Sequence, residues 1–305
     1  MDRRRPLDAT AISLMLLLGL IFGSQQLAMK VVADDLSPAL QVGIRSALAL
    51  LVFAAWAWFS GQYRQFVSGV WLPGCVAGLL FCAEYVTLGE GLLHTTTGHA
   101  VVFLYTSPIF AALGLHLLVP SERLSGWQWG GITLAFSGIL MAFFNKGDGA
   151  GNLYGDAMCL LAGASWGATT LLIRSTRLAQ APALQTLLFQ LGVTAVVMLT
   201  LMWPDPSSAI SLNQPLLLSM VWQTLVISMG GMMVWFWLIR HYAASRIGVL
   251  SFMTPMFGVV LGAVWLDEPL EPGFLGGSLL VLAGILLVSG HEWWQQRRQA
   301  ALAAS

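Results

Sequence analysis

The sequence predicts an all-α integral membrane protein, with ten transmembrane helices arranged as two inverted-topology five-helix repeats around a central cavity. Three observations lead to this fold class: a low content of charged residues, ten apolar runs, and an internal repeat of half the chain. Of the 305 residues, 57% are hydrophobic and 9% are charged, whereas soluble domains carry about 25% charged residues. Most of the surface must therefore face lipid, which makes the bilayer the first expected partner.

The ten apolar runs are each long enough to cross a bilayer and are joined by short connections. Because the hydrocarbon core offers no water to backbone groups, each run is predicted to be a helix. The predicted helices are 9–31, 39–59, 70–91, 100–119 and 127–144 in the first half, and 153–173, 184–202, 216–238, 247–266 and 273–288 in the second.

The basic residues predict that both termini are cytoplasmic. With the amino terminus inside, the cytoplasmic segments hold 11 arginines, and the external loops hold only Lys30 and Lys146. Positive residues are retained on the cytoplasmic side of membrane proteins, so this distribution favours an even number of spans.

The two halves repeat each other at a shift of 144 to 147 residues. The matched positions are Gly19 with Gly163, Phe22 with Trp166, Gly23 with Gly167, Lys30 with Arg174, Pro38 with Pro182, His94 with His241, Pro108 with Pro255, and Glu122 with Glu268. Five helices is an odd number, so the second unit enters the membrane from the opposite side. We therefore divide the chain into a repeat at 1–146 and an inverted repeat at 147–305.

Both halves resemble the EamA unit of the drug/metabolite transporter superfamily over nearly the whole chain. The resemblance rests on the residues Phe22-Gly23 and Lys30, Trp166-Gly167 and Arg174, Pro38 and Arg45, Pro108 and Pro255, Glu122 and Leu124, and Glu268 and Leu270. The chain departs from the pattern at Phe189, which stands at the repeat position of Arg45. Within the superfamily, it is similar to the YddG-type amino-acid exporters.

This resemblance implies a secondary transporter or facilitator of a bacterial inner (plasma) membrane that exports small metabolites by alternating access. Amino acids with apolar or aromatic side chains are the first expected cargo, and cationic drugs or nucleotide sugars are alternatives. The resemblance also places helices one to four and six to nine around the cavity, with helices five and ten outside it.

Two intramembrane charges are candidates for the transport site. Glu84 and Arg45 each lie about seven residues from the outer end of their predicted helices, so their depths match. Unpaired charges at such a depth cost at least about 2.5–3.5 kcal/mol each. Two interpretations stay open: Glu84 binds a substrate amine or a proton, or Glu84 and Arg45 form a structural pair.

Aromatic residues recur at matched positions in the two halves and predict a substrate-binding pocket on the repeat axis. These residues are Phe22 and Trp166 on helices one and six, and Tyr105 and Phe252, each three residues before a proline. Tyr85, beside Glu84, is a further candidate. Ordinary helix packing is the alternative for all of them.

Structural or gating roles are predicted for five residues: Gly23, Arg45, Pro108, Gly167 and Pro255. A proline within a helix frees a carbonyl one turn earlier, which a membrane tolerates beside a cavity. Glycines spaced by four residues allow helices to approach closely. We expect Glu90, His94 and His99 on a solvated outer rim, and Glu268 in a solvated loop.

Other functional classes lack support in the sequence. The run Gly163-Ala164-Ser165-Trp166-Gly167 matches the nucleophile pattern of serine hydrolases, but it lies within a predicted helix rather than in a strand–turn–helix. An intramembrane hydrolase using Ser165 is therefore a minor alternative, and we expect no enzyme activity. No zinc-protease or nucleotide-binding motif occurs, and we expect no cofactor, no metal and no nucleic-acid partner. Proton coupling is compatible with Glu84, and no pattern indicates an oligomeric state.

Overall fold

A computed structural model describes residues 8–118, 123–144, 152–201, 210–242, 250–251 and 253–302. All regular secondary structure in these residues is helical. The helices are α1 Ala9–Val31, α2 Pro38–Phe59, α3 Trp71–His94, α4 Thr97–Leu104, α5 Ser107–Leu118, α6 Gly126–Phe144, α7 Leu153–Ser175, α8 Ala183–Leu201, α9 Gln214–Val221, α10 Met232–His241, α11 Met253–Trp265 and α12 Pro272–Leu302, with a π-helical segment Trp222–Gly231 between α9 and α10.

Short polar side chains start several helices by accepting hydrogen bonds from the first free backbone amides. Asp8 Oδ1 accepts from Ala11 N at 2.8 Å, and Asn152 Oδ1 accepts from Gly155 N at 2.8 Å. Asn213 does the same for α9, where Pro215 also fits the first turn. These caps lie where the sequence passes from polar loop to apolar run.

Seven of the described helical spans are long and apolar enough to cross a membrane. They are Ala9–Val31, Pro38–Phe59, Trp71–His94, Thr97–Leu118, Leu153–Ser175, Ala183–Leu201 and Gln214–Leu238. The three other predicted spans fall on α6, α11 and α12, and the apolar parts of the last two are shorter, at Met253–Trp265 and Pro272–Leu287. The chain is thus an all-helical, multi-pass membrane protein.

Helices of the two halves pack against each other throughout the bundle. The pairs are α1 with α11, α4 and α5 with α7, α2 with α8, α3 with α7 and α8, and α6 with α12. The largest buried cluster lies between α3, α4, α6, α7 and α12 and includes Phe103 and Phe274. Contacts between the halves thus dominate the packing, and the main buried cluster of the described residues draws on both halves.

The same glycine contact occurs twice, at positions that the repeat relates. A Cβ on Gly167 of α7 would lie 2.7 Å from Ser107 O and 3.0 Å from Ala111 N. On α1, a Cβ on Gly23 would lie 2.9 Å from Thr254 O and 3.0 Å from Gly258 N. Shifts of 144 and 147 residues convert one set of contacts into the other. Only glycine allows backbones this close at both places.

Helix four, predicted as one continuous run, is broken in the structure. It divides into α4 and α5 at Tyr105 and Thr106, three and two residues before Pro108. Proline cannot donate to the carbonyl four residues earlier, so the ladder fails at Leu104. The predicted helix 216–238 also departs from the prediction, because its centre widens into the π-helical segment that ends at Gly230-Gly231.

Candidate functional site

A cavity of about 390 Å³ lies near the centre of the bundle, between the two halves. Its described lining comes from α1 to α4, α7, α8, the π-helical segment, α10 and the residues around the start of α11. In the described part of the chain, α6 and α12 contribute nothing to it. The lining residues are Met15, Leu18, Gly19, Phe22, Gln25, Gln26, Arg45, Ser46, Phe81, Glu84, Tyr85, Leu104, Tyr105, Trp166, Leu187, Gln190, Leu191, Ile227, Ser228, Met232, Trp235, Ser251 and Thr254.

The cavity brings together most of the residues that the sequence singled out. Phe22, Glu84, Tyr85, Tyr105 and Trp166 all line it. The sixth candidate, Phe252, lies outside the described residues.

Both charged lining residues in the described part come from the first half, Arg45 on α2 and Glu84 on α3. Arg45 is 3% exposed and Glu84 is 5% exposed. The second half lacks a counterpart because Phe189 stands at the repeat position of Arg45. The ring of Phe189 packs against Gly74 of α3, away from the cavity lining. In the described lining, both charged side chains therefore belong to the first half.

Arg45 and Glu84 do not form an ion pair with each other, although their depths allowed one. No hydrogen bond to the Glu84 carboxylate comes from the described part of the chain, and its Oε2 atom is buried without a partner. Arg45 Nη1 donates a long hydrogen bond of 3.4 Å to Gln223 Oε1. The structural pair, one of the two interpretations that the sequence left open, is thus absent from this conformation.

A network of glutamines positions Arg45. Gln223 Nε2 donates to Gln41 Oε1 at 2.7 Å and to Ser219 Oγ at 3.0 Å, which leaves Gln223 Oε1 directed to Arg45. Gln41 is itself fixed by donating to two backbone carbonyls near the end of α1. Because every amide group has a partner, the network holds the guanidinium in one place.

Tyr85 supports the guanidinium from the other side. The Arg45 Cζ atom lies 4.7 Å from the centre of the Tyr85 ring, a cation–π geometry. Gln25 Nε2 donates to the Tyr85 hydroxyl at 3.1 Å, and Phe81 meets the ring edge-on at 4.9 Å. The Tyr85 ring is therefore fixed by two neighbours and presents one face to Arg45.

Aromatic and aliphatic side chains form the rest of the lining. Tyr105 and Trp166 meet edge-on, with 5.4 Å between ring centres. The Phe22 ring lies against Gly231, where a Cβ would come within 2.8 Å of it. Leu187 and Trp235, with other apolar residues of α8 and α10, extend this surface.

The predicted structural residues lie where α7 and α1 meet the proline-containing helices. Pro108 follows the break between α4 and α5, and Gly167 packs on the first turn of α5. A Cβ on Gly163 would lie 2.6 Å from Phe103 O, so α7 also touches the backbone beside the break. Pro255 is buried in the first turn of α11, one residue after the Thr254 carbonyl that contacts Gly23. The Tyr105–Trp166 pair lies beside the contact of Gly167 with α5, since Trp166 directly precedes Gly167 in α7.

A buried polar cluster of His99, Thr95 and Asp156 at one end of the bundle differs from the predicted solvated rim. His99 is 2% exposed, and its Nδ1 lies 3.0 Å from Asp156 Oδ2. Thr95 also donates to Asp156, which is fully buried in the first turn of α7. The prediction of a solvated His99 was wrong because the α3–α4 loop folds over the start of α7. Glu90 and His94 are partly exposed, as predicted, and pair at 3.3 Å.

Glu268 was also predicted in a solvated loop, and the structure corrects this. Its Oε1 accepts from Lys30 Nζ at 3.0 Å and from Thr97 N at 2.7 Å, and its Oε2 accepts from Gly98 N at 3.2 Å. A carboxylate at a helix amino terminus satisfies free amides and the helix dipole. Glu268 therefore caps α4 and ties it to α1. Its repeat counterpart, Glu122, lies outside the described residues.

Sequence reasoning missed several polar residues of the site. Gln25, Gln26, Gln41 and Gln223 are uncharged and were passed over in a search for intramembrane charges. Their signal was present, since amides within apolar helices need partners there. Trp235 carried no signal that separates it from other tryptophans of the chain.

The described residues contain no group of three or more His, Cys, Asp or Glu side chains that could hold a metal ion. Ser165 lies in the middle of α7, and the described part of the chain provides no histidine hydrogen-bonded to it. His116 instead accepts a hydrogen bond from Leu124 N. The structure thus offers no support for the hydrolase alternative.

The chain is similar in sequence to transporters over most of its length. The chain is 24% identical to a probable amino-acid metabolite efflux pump of Escherichia coli over 92% of this chain and 95% of that protein. It is 25% identical to a protein of the same description from Salmonella typhimurium, over 90% and 93% of the two chains. It is also 24% identical to the transporter YvbV of Bacillus subtilis, over 83% and 82%.

A solved crystal structure superimposes with a TM-score of 0.61 at 18% identity, covering 92% of this chain and 96% of the other, which shows a shared fold. The sequence pattern that defines the EamA-like transporter family matches twice, at residues 9–144 and 153–290. The two matches span nearly the whole chain, and the resemblance expected from the sequence is confirmed. The protein belongs to the EamA-like transporter family.

Proposed function

We propose that this transporter exports small amphipathic metabolites, with amino acids bearing apolar or aromatic side chains as its first cargo. The proposal depends on the cavity, in which the charged side chains of the described lining come from the first half and most of the other lining residues are apolar. Two charges of opposite sign, Arg45 and Glu84, lie among mostly aromatic and aliphatic lining residues. Such a lining suits a molecule with a polar head and an apolar body. The name of the two enterobacterial relatives points to the same class of cargo.

The size of the cavity supports a small substrate. Its volume of about 390 Å³ falls in the range of roughly 300–1,000 Å³ that small-molecule sites occupy. The cavity lies where α1 and α4 of one half face α7 and α8 of the other. Substrate sites of repeat-built transporters lie at such interfaces, near the middle of the membrane.

We further propose that the chain has ten spans and two inverted repeats, at 1–146 and 147–305. The duplicated contacts of Gly23 and Gly167 support this arrangement, because only related units place the same atoms around both glycines. The halves also differ in one respect: α3 packs along α7 and α8, and the π-helical segment contacts α1 and α2 over a shorter length. Exchange of these two packing modes between the repeats would provide alternating access.

We place the protein in a bacterial inner membrane with both termini cytoplasmic, as the arginine distribution favours. The test replaces Cys75, Cys82 and Cys159 and adds single cysteines near residues 3 and 300. In intact cells, both new cysteines should resist an impermeant thiol reagent, and a cysteine at Lys146 should react. Labelling of either terminal cysteine in intact cells would refute the ten-span arrangement.

Transport itself is tested in proteoliposomes that contain the purified protein, by exchange of labelled L-phenylalanine against internal L-phenylalanine. Trp166→Ala and Tyr105→Ala should slow exchange at least tenfold while the protein stays folded. Trp127→Ala is the matched control, because Trp127 is 74% exposed on α6 and lies outside the cavity. Normal exchange by both cavity variants would show that these aromatics only pack helices.

The same vesicles separate the alternatives in cargo and energetics. A quaternary ammonium drug analogue and a nucleotide sugar are offered as competitors, and neither should displace L-phenylalanine. An imposed pH gradient distinguishes proton-coupled export from facilitated diffusion. Stronger competition by either of the alternative cargoes would overturn the assignment to amino acids.

A further inference from the structure

We infer that Arg45 and Glu84 are two separate anchors for one zwitterionic head group, with Arg45 receiving a carboxylate and Glu84 an ammonium. The inference rests on the proposed export of amino acids and specifies how the cavity recognises them. It also replaces the structural role that the sequence predicted for Arg45.

The charged groups of Arg45 and Glu84 belong to the wall of the same cavity, and no salt bridge connects them. Both side chains line the cavity and are almost fully buried, but no ion pair joins them. If the pair served only to neutralise two intramembrane charges, direct contact would be the stable arrangement. We take this unbridged pair on the wall of one cavity as the place where a third group with charges of its own binds.

The Oε2 atom of Glu84 is buried, and no residue that the structure describes donates a hydrogen bond to it. A carboxylate that is removed from water is stable only with hydrogen-bond donors and a compensating positive charge. A substrate ammonium group carries three N–H donors and a positive charge, so it satisfies both requirements at once.

The guanidinium of Arg45 has five donors in a planar fork. Within the described residues, the guanidinium makes a long hydrogen bond to Gln223 Oε1 and a further polar contact with Tyr85, which leaves donors unused. Tyr85 stacks on one face of the group and fixes its plane. A guanidinium held in this way, with donors unused, is suited to two parallel hydrogen bonds from a carboxylate.

In an α-amino acid, the carboxylate and the ammonium leave the same carbon, so binding both also aims the side chain. The charged anchors lie on α2 and α3, and the Tyr105–Trp166 pair lies between α4 and α7. An apolar or aromatic side chain then lies on the Tyr105–Trp166 side of the cavity.

The experiment measures binding of three related ligands to the purified full-length protein in detergent. L-phenylalanine has both charged groups, phenethylamine lacks the carboxylate, and 3-phenylpropionate lacks the ammonium. The wild-type protein should bind L-phenylalanine at least tenfold more tightly than either analogue. A wild-type protein that binds phenethylamine or 3-phenylpropionate as tightly as L-phenylalanine overturns the inference without any variant.

Two variants assign the anchors. Arg45→Gln should bind L-phenylalanine and phenethylamine equally, and Glu84→Gln should bind L-phenylalanine and 3-phenylpropionate equally. Arg45→Lys keeps the charge and loses the fork, so it should fold and show a reduced preference for L-phenylalanine over phenethylamine. Matched controls are Arg64→Gln and Glu90→Gln, which alter partly or fully exposed charges outside the cavity lining and should keep both preferences.

The outcomes separate the inference from the function on which it rests. If the wild-type protein exchanges amino acids but Arg45→Gln weakens L-phenylalanine and phenethylamine by the same factor, Arg45 is structural and the inference fails alone. If the wild-type protein neither binds nor exchanges any amino acid, the proposed function fails.

Discussion

The close contact between α7 and α5 makes Gly167→Ala a strong test of the packing around the site. A Cβ at this position would lie 2.7 Å from both Ser107 O and Phe110 Cβ, and 3.0 Å from Ala111 N. Two of these three atoms belong to the backbone and cannot move independently of α5. The added methyl group must therefore push the two helices apart, at the level of the break that precedes Pro108.

The magnitude follows from two opposing terms. Overpacking of this kind costs about 1–3 kcal/mol, while alanine is favoured over glycine inside a helix by about 1 kcal/mol. Gly130→Ala on α6 isolates the second term, because nothing lies within 4 Å of a Cβ there. The difference in unfolding free energy between Gly167→Ala and Gly130→Ala should thus equal the overpacking cost alone, about 1–3 kcal/mol.

The assay is reversible unfolding by SDS titration in mixed micelles, combined with exchange of labelled L-phenylalanine in proteoliposomes. Gly23→Ala should behave like Gly167→Ala with a smaller loss, since its closest contacts are 2.9 Å and 3.0 Å. If Gly167→Ala proves as stable as Gly130→Ala, the helices are not in backbone contact and the packing described here is incorrect.

Three further predictions concern buried charges. Glu84→Met should raise the unfolding free energy by about 1–3 kcal/mol, because it removes a buried carboxylate oxygen that has no partner among the described residues. The same variant should abolish amino-acid exchange. A loss of stability would show that Glu84 is satisfied in the folded protein. Glu268→Ala should lower the unfolding free energy by about 1–3 kcal/mol, since three donors lose their acceptor. Lys30→Met should lower it by less than about 1 kcal/mol, because the Lys30 side chain is 28% exposed. Equal losses would contradict the capping role of Glu268. Asp156→Ala should cost about 1–3 kcal/mol for each buried donor left unsatisfied, one of them on His99, and an effect below about 0.5 kcal/mol, as at ordinary surface sites, would contradict the buried cluster.

The helices were largely predictable because apolar runs report directly on helices in lipid. Pro38 and Asn152 mark helix starts in the sequence, and both starts were located to within a residue. The π-helical segment was not predictable, because widening of a helix depends on neighbours rather than on its own residues. The break at Tyr105 lay between these cases: Pro108 predicted a freed carbonyl, but not that the helix would divide.

Two signals in the sequence predicted residues that line the cavity: the repeat, which pairs Phe22 with Trp166, and intramembrane charge, which singled out Arg45 and Glu84. Phe22 and Trp166 came from matched positions, and both line the cavity. The separation of Arg45 from Glu84 could not be predicted from equal depth, since depth fixes only one coordinate. The burial of His99 was missed for a similar reason, because its partner Asp156 lies in the other half of the chain.

The most direct test is a structure of the protein with bound L-phenylalanine. We expect one ligand in the cavity between the halves, with its carboxylate on Arg45, its ammonium on Glu84 and its ring against Trp166. A ligand bound outside this cavity, or inside it with the ring towards the two charges, would refute the proposed site.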